Sequence, residues 1–251
     1  MGVLDLTTLQ STDTPERVGA LCARARDPLG DGSATVAAVC VYPTLVPAAA
    51  EALAGSPVRV ASVAGAFPSG MSPLHLRVAE AAWCVQQGAQ EIDMVISRGE
   101  FLAGRFDAVV EEVAQVRQAI GQATLKVILE VGQLGSPQAI TRASELVVAQ
   151  LRDGDFIKTS TGKEGPGASL EATACMLAVL ANAWRNGGPK VGLKPAGGVR
   201  TTEQAVAYWR QACEAMSAFE PWRRPDPRVF RLGASSLLDD LARAIADRSA
   251  G

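Results

Sequence analysis

Thr124-Leu125-Lys126-Val127-Ile128-Leu129-Glu130, then Ser136-Pro137-Gln138-Ala139-Ile140, then Asp155-Phe156-Ile157-Lys158-Thr159-Ser160: these three pieces decide the fold. The first is aliphatic but for Lys126 between its polar ends, as strands buried on both faces are, and the third is a shorter apolar piece, Phe156-Ile157, that runs into Lys158. Between them a serine before a proline opens an alanine-rich amphipathic stretch over 136–151. The serine hydroxyl can accept from an unpaired first-turn N–H, and proline has no such group to lose. The same unit repeats along the chain. Strands are expected at 3–7, 36–42, 58–64, 91–96, 124–130, 155–160, 190–194 and 229–233, and helices at 14–26, 44–54, 72–88, 105–120, 136–151, 169–186, 201–216 and 235–247. Eight strand-helix units in 251 residues predict a (β/α)8 TIM barrel formed by one domain over 1–251. An open doubly wound sheet is the alternative. The longest irregular piece, 217–228, carries Trp222 and is expected as a surface loop before the last strand.

Composition narrows the function. The net charge is −2, acidic and basic residues are interspersed, and no basic block is present, which argues against a nucleic-acid partner. No apolar run is long enough to cross a bilayer, which needs about 18–20 residues, so no membrane association is expected. The start of the chain lacks a basic region followed by an apolar one, and a cytoplasmic location is expected. Cys22, Cys40, Cys84, Cys175 and Cys213 are odd in number and widely spaced, so they read as free thiols. His75 is the single histidine, too few for a zinc site made of imidazoles; no metal and no cofactor are expected.

Of 24 basic residues only five are lysines, Lys126, Lys158, Lys163, Lys190 and Lys194, and all fall between positions 126 and 194. Arginine stays charged at any working pH, whereas a lysine amine can lose its proton and attack a carbonyl. Lys158 lies late in strand six and Lys194 ends strand seven, where barrel enzymes carry their reacting groups. Asp93 lies on strand four in phase with Glu91 and Val95. Two ammonium groups about 4 Å apart at an effective dielectric near 20 repel by roughly 4 kcal/mol, or about three pKa units. One of them would then be a neutral nucleophile. Gly192, on the same strand face as Lys194, is expected to leave space beside the amine. Lys126 lies deeper, in a structural or relay role, and Lys190 is expected to face solvent.

Glycine-rich turns follow the last three strands: Thr159-Ser160-Thr161-Gly162-Lys163, Ala196-Gly197-Gly198-Val199-Arg200 and Gly233-Ala234-Ser235-Ser236. Glycine lets backbone N–H groups approach phosphate oxygens, and the helices that follow present positive dipole ends. Together they point to a phosphorylated substrate.

These same motifs, with Asp5-Leu6-Thr7-Thr8-Leu9, Val39-Cys40-Val41-Tyr42-Pro43 and Glu91-Ile92-Asp93-Met94-Val95, resemble the deoxyribose-phosphate aldolases over nearly the whole chain. The resemblance implies a metal-independent class I aldolase that reversibly cleaves 2-deoxy-D-ribose 5-phosphate to acetaldehyde and D-glyceraldehyde 3-phosphate in deoxynucleoside catabolism. It implies Lys158 as the Schiff-base lysine, Lys194 as the neighbour that lowers its pKa, and Asp93 as the group that moves protons. Asp5, Thr7 and Lys126 would form a supporting polar network. Gly162, Lys163, Gly197, Gly198, Gly233, Ser235 and Ser236 would hold phosphate. The partners implied are small sugar phosphates and aldehydes, with a homo-oligomer, dimer or tetramer, expected from the family. An iminium nitrogen withdraws electrons, so a carbon–carbon bond, placed at C3–C4 on this reading, can break to an enamine.

Two departures from the family pattern stand out. The chain starts almost at its first strand, without the short helix that many members place there, and its tail lacks the tyrosine that assists proton transfer in some members. Tyr42 and Tyr208 lie elsewhere. Cys40 is expected as a small core residue near the mouth and His75 as a surface or capping residue. Another Schiff-base aldolase or transaldolase, or a sugar-phosphate-binding regulatory protein, are the competing readings.

Overall fold

The computed structural model describes residues 1–222 and 226–249. Its strands are β1 (Leu4–Thr7), β2 (Ala38–Val41), β3 (Arg59–Ala64), β4 (Glu91–Val95), β5 (Thr124–Ile128), β6 (Phe156–Lys158), β7 (Gly192–Lys194) and β8 (Leu232–Ala234). All neighbours pair in parallel, in the order β7-β6-β5-β4-β3-β2-β1-β8. The ring closes between β7 and β8: the Leu193 N–H donates to the Val229 carbonyl, Arg231 N–H to Leu193, and Gly233 N–H to Pro195. The fold is therefore a (β/α)8 barrel, and the doubly wound alternative is set aside.

The helices are α1 (Pro15–Arg26), α2 (Val46–Ala52), α3 (Leu74–Gln86), α4 (Arg98–Leu102), α5 (Phe106–Ala119), α6 (Pro137–Val148), α7 (Leu170–Arg185), α8 (Thr202–Ala215) and α9 (Leu237–Ser249). The Thr14, Ser136, Ser169 and Thr201 hydroxyls cap α1, α6, α7 and α8 as local chemistry demands. Side chains alternate across each strand. Leu6, Val39, Val41, Ile92, Val127 and Ile157 face outward into the large apolar layer beneath the helices.

Three local readings need correction. Short α4 was not foreseen between β4 and α5. Strand β8 starts later than expected, because Val229 and Phe230 both bond back to the Asp226 carbonyl in a turn. Trp222 is not on a surface loop: it ends a 3-10 turn, Glu220–Trp222, and is fully buried, with its ring 6.1 Å from that of Trp184 and 6.5 Å from that of Phe230. An aromatic of that size gains more from burial than any polar group in the turn loses. The rest of the expected loop, at 223–225, lies outside the described residues, as do 250–251 of the tail.

Candidate active site

The barrel interior is split in two. On the side of β2 and β3 it is small and uncharged, with Ala38, Cys40, Ala61 and Val63 packed under Leu9. The remaining strands fill the axis with charge. Asp93 of β4 stands at the centre. Its Oδ2 meets the Lys158 amine at 2.7 Å and the Lys194 amine, also at 2.7 Å, while its Oδ1 meets Lys126 at 3.0 Å. Strand register places Asp93 beside Lys126 and, two residues further along the strands, Lys158 beside Lys194. One layer deeper, Asp5 binds Lys194 at 2.6 Å and Lys126 at 3.3 Å, and Glu91 binds Lys126 at 2.5 Å. Arg231 sits below them, 2.6 Å from Asp5 and 3.0 Å from Glu91.

Among its buried members the column therefore sets Arg231, Lys126, Lys194 and Lys158 against Asp5, Glu91 and Asp93, with the exposed Arg59 also reaching Glu91. One cation has no counterpart. The surplus falls on Lys158, the last member toward the mouth, whose sole carboxylate contact is an oxygen already held by Lys194. Burial is the larger cause that lowers the Lys158 pKa; the Lys194 charge adds to it, and Asp93 opposes both. The expected repulsion between the lysines is thus present but second to desolvation. For Lys194, burial pulls downward, yet Asp5 and Asp93 outweigh it and leave the amine above its ordinary value. Burial would raise the carboxyls of Asp5 and Asp93, but the surrounding amines, joined by Arg231 at Asp5, hold both below the usual range. A charged lysine, an ionised carboxylate and an amine that gives up its proton readily thus share one point.

Above Lys158 opens a cavity of about 210 Å³ at the C-terminal ends of the strands. Gly162, Lys163, Gly197, Gly198, Gly233, Ser235 and Ser236 all line it, with Thr7, Thr161 and Arg200. Gly197 has φ +84°, and an added Cβ would stand 3.1 Å from Gly167 and 3.4 Å from Gly162, so glycine is what allows these loops to meet. The Lys163 amine donates to the Leu9 carbonyl, which ties the loop after β6 to the one after β1.

Some residues are placed otherwise than expected. Thr7 lines the cavity, but its hydroxyl donates to the Asp5 carbonyl and takes no part in the ionic column. Gly192 leaves no space beside Lys194: a Cβ there would stand 2.5 Å from both the Phe156 ring and the Val229 carbonyl. Lys190 is half-buried, with its amine 4.9 Å above the Trp184 ring. Cys40 is buried on the inner wall, and burial pushes its thiol up to about 11. Tyr42 is half-buried at the rim, edge-on to Phe67, and His75 is exposed at the start of α3. Among the described residues no cluster of His, Cys, Asp and Glu could hold a metal ion.

Three functional candidates escaped the sequence reading. Glu91 and Arg231 carry the base of the column. Glu130, fully buried just after β5, adopts left-handed backbone with φ 55°. Its Oε2 accepts from the Thr161 N–H at 3.1 Å and the Thr161 hydroxyl at 2.5 Å, and Thr161 in turn accepts from the Lys163 N–H at 3.1 Å. A signal existed for Glu91, which lies two positions before Asp93 on the same strand face; none existed for Glu130.

Residues 1–242 match the model of the DeoC/LacD aldolase family. A deoxyribose-phosphate aldolase of Mus musculus is 43% identical over 96% of this chain and 78% of its own length. One from Agrobacterium fabrum is 42% identical over 98% of this chain and 90% of its own. Among solved structures, a putative deoxyribose-phosphate aldolase from Coccidioides immitis superposes with a TM-score of 0.80 at 32% identity, covering 96% of this chain and 84% of that one.

Proposed function

Since the chain belongs to the DeoC/LacD family of aldolases, we propose that it cleaves 2-deoxy-D-ribose 5-phosphate reversibly to acetaldehyde and D-glyceraldehyde 3-phosphate, through an imine on Lys158. It is an enzyme of the lyase class. The observation that carries the reading is the meeting of Lys158 and Lys194 on one Asp93 oxygen, directly beneath a glycine-lined cavity.

The neutral Lys158 nitrogen attacks C1 of the open-chain aldehyde, and the carbonyl oxygen takes a proton from charged Lys194. Loss of water gives the iminium. The bond that breaks is C2–C3, not the C3–C4 bond assigned from the sequence, because two carbons leave as acetaldehyde and three as glyceraldehyde phosphate. Its electron pair moves into the C1–C2 enamine while the C3 hydroxyl gives up its proton to become the new carbonyl. Asp93, ionised and in contact with both amines, carries that proton back to C2, and water then frees acetaldehyde. The phosphate rests against Gly162, Lys163, Gly197, Gly198, Gly233, Ser235 and Ser236, with Lys163 and Arg200 supplying positive charge. Asp5 and Lys126 hold the amines in place.

The five free cysteines suit a cytoplasmic enzyme, and no helix of the described residues is long and apolar enough to cross a membrane. A homo-oligomer is supported by the tetrameric deoxyribose phosphate aldolase of Aeropyrum pernix, a structure 25% identical with a TM-score of 0.73. The test is chemical: borohydride reduction in the presence of acetaldehyde should leave one two-carbon adduct, on Lys158. An adduct on another lysine, or none, would overturn the assignment.

A further inference from the structure

Arg231 takes no part in the steps above, yet it is only 5% exposed and belongs to the ionic column. One nitrogen donates to Asp5 at 2.6 Å, the other to Glu91 at 3.0 Å, and its guanidinium lies 5.7 Å above the Phe156 ring. Both carboxylates also serve the lysines above. We propose that Arg231 is a positioning residue for the reaction: by sharing Asp5 and Glu91 from below, it leaves Lys194 and Lys126 only part of each carboxylate, so both also lean on Asp93 and Lys158 is the one amine in the column without a carboxylate of its own. This rests on the Schiff-base reading and adds to it the origin of the free amine.

The charged and titratable groups around Lys158 can be named strand by strand. Asp5 comes from β1, Cys40 from β2, Glu91 and Asp93 from β4, Lys126 from β5 and Lys194 from β7. Arg59 of β3 reaches Glu91 at 2.8 Å but is 42% exposed, so solvent carries much of its charge. Arg231 precedes β8, while Lys163 and Arg200 line the cavity above. Of the cations in this set, Arg231 alone is buried, permanently charged and distant from the reacting atoms. Removing it takes one positive charge from a column whose anions stay in place. Lys126 and Lys194, already in contact with Asp5 and Glu91, then have those carboxylates to themselves, and Asp93 is freed to hold a proton on Lys158.

The experiment follows kcat/KM against pH, whose acidic limb reports the free enzyme's essential amine. In Arg231→Gln the limb should move up by about one pH unit, so activity below it falls about tenfold and returns at high pH. Arg231→Lys, which keeps the charge, should hold the limb near its original place, and Glu91→Gln, which removes an anion, should move it down. An unchanged limb in Arg231→Gln, or an equal loss at every pH, overturns the proposal. If Arg231→Gln does not fold, the other two variants decide: a limb that Glu91→Gln leaves in place, or that Arg231→Lys moves by a full unit, overturns the idea. Failure here leaves the borohydride adduct on Lys158 intact, whereas failure of the aldolase reading removes that adduct from the unaltered enzyme.

Discussion

Two kinds of buried ion pair stand side by side in this barrel. Outside the strands, Arg77 of α3 meets Glu112 of α5 at 2.6 Å and spends its other N–H groups on the Gly65 and Val95 carbonyls and the Ser97 hydroxyl. Arg117 meets Asp155 at 2.6 Å and donates to the Gly121 and Ala123 carbonyls, while Asp155 accepts from the Leu125 and Arg152 N–H groups. Each is one cation to one anion, saturated by backbone. Such pairs orient helices on the wall and leave neither charge without its partner. Inside the barrel the partners are side chains, save for the Pro227 carbonyl that accepts from Arg231, and the cations outnumber the anions. A matched pair is a fastening; an unmatched set leaves one amine that can react.

The largest expected contrast comes from deleting a cation of each kind. Lys158→Met should lower kcat/KM by about 10^4-fold or more and abolish the borohydride adduct, because the proposed imine forms on this amine. Its melting temperature should not fall, since the amine removed is the one burial already disfavours. Arg77→Met should behave in the opposite way, costing about 3–5 kcal/mol of stability by stranding Glu112 without a partner. Equal destabilisation by the two variants would show that the inner column is also a matched structure.

How much of this could be read beforehand follows from the range of each interaction. Strand β2 was legible because burial on both faces makes it apolar throughout, and α6 because Ser136 and Pro137 announce its first turn. Lys158, Lys194 and Asp93 stood out as charged residues inside apolar runs. What could not be read was the pairing. Arg231 finds Asp5 across 226 positions and Glu91 across 140, through a barrel closure that no local pattern encodes. Glu130 looked like the last residue of a strand. Its left-handed backbone instead turns the carboxylate toward Thr161, 31 positions on, a conformation that propensity argues against and that tertiary contacts must impose.

Acid titration sharpens the contrast with a smaller effect. The carboxyls of Asp5 and Asp93 lie below their ordinary range, so the unfolded chain takes up protons first. Their stabilisation is fully present above the unfolded carboxyl value near 4 and is lost as pH falls through it toward their folded values. Asp155 is shifted the other way, raised by burial against the pull of the Leu125 N–H and Arg117. A raised carboxyl gains stability as pH falls through its folded value. Melting temperature followed from pH 7 to pH 3 should therefore drop less steeply in Asp5→Asn than in the unaltered protein, and no less steeply in Asp155→Asn. The same slope in both variants would break the distinction between the inner and outer pairs.

Glu130 belongs to neither class, which makes it the finest test. Like the outer carboxylates it accepts from a backbone N–H, and burial raises its pKa; like the inner ones it also takes side-chain partners, the Thr161 hydroxyl and Arg98 at 3.5 Å. Its bonds to the Thr161 N–H and hydroxyl fix the start of the turn that carries Gly162 and Lys163 into the cavity. Glu130→Gln keeps the shape but exchanges charge-assisted bonds for neutral ones about half as strong. That should loosen the phosphate end of the site and leave the amine column as it is. KM for the phosphorylated sugar should rise about fivefold, kcat should stay within about twofold, and kcat/KM for unphosphorylated 2-deoxyribose should not change. A fall in kcat with both substrates would instead join Glu130 to the proton-carrying set around Asp93, and the division between fastening and chemistry would have to be redrawn at the mouth.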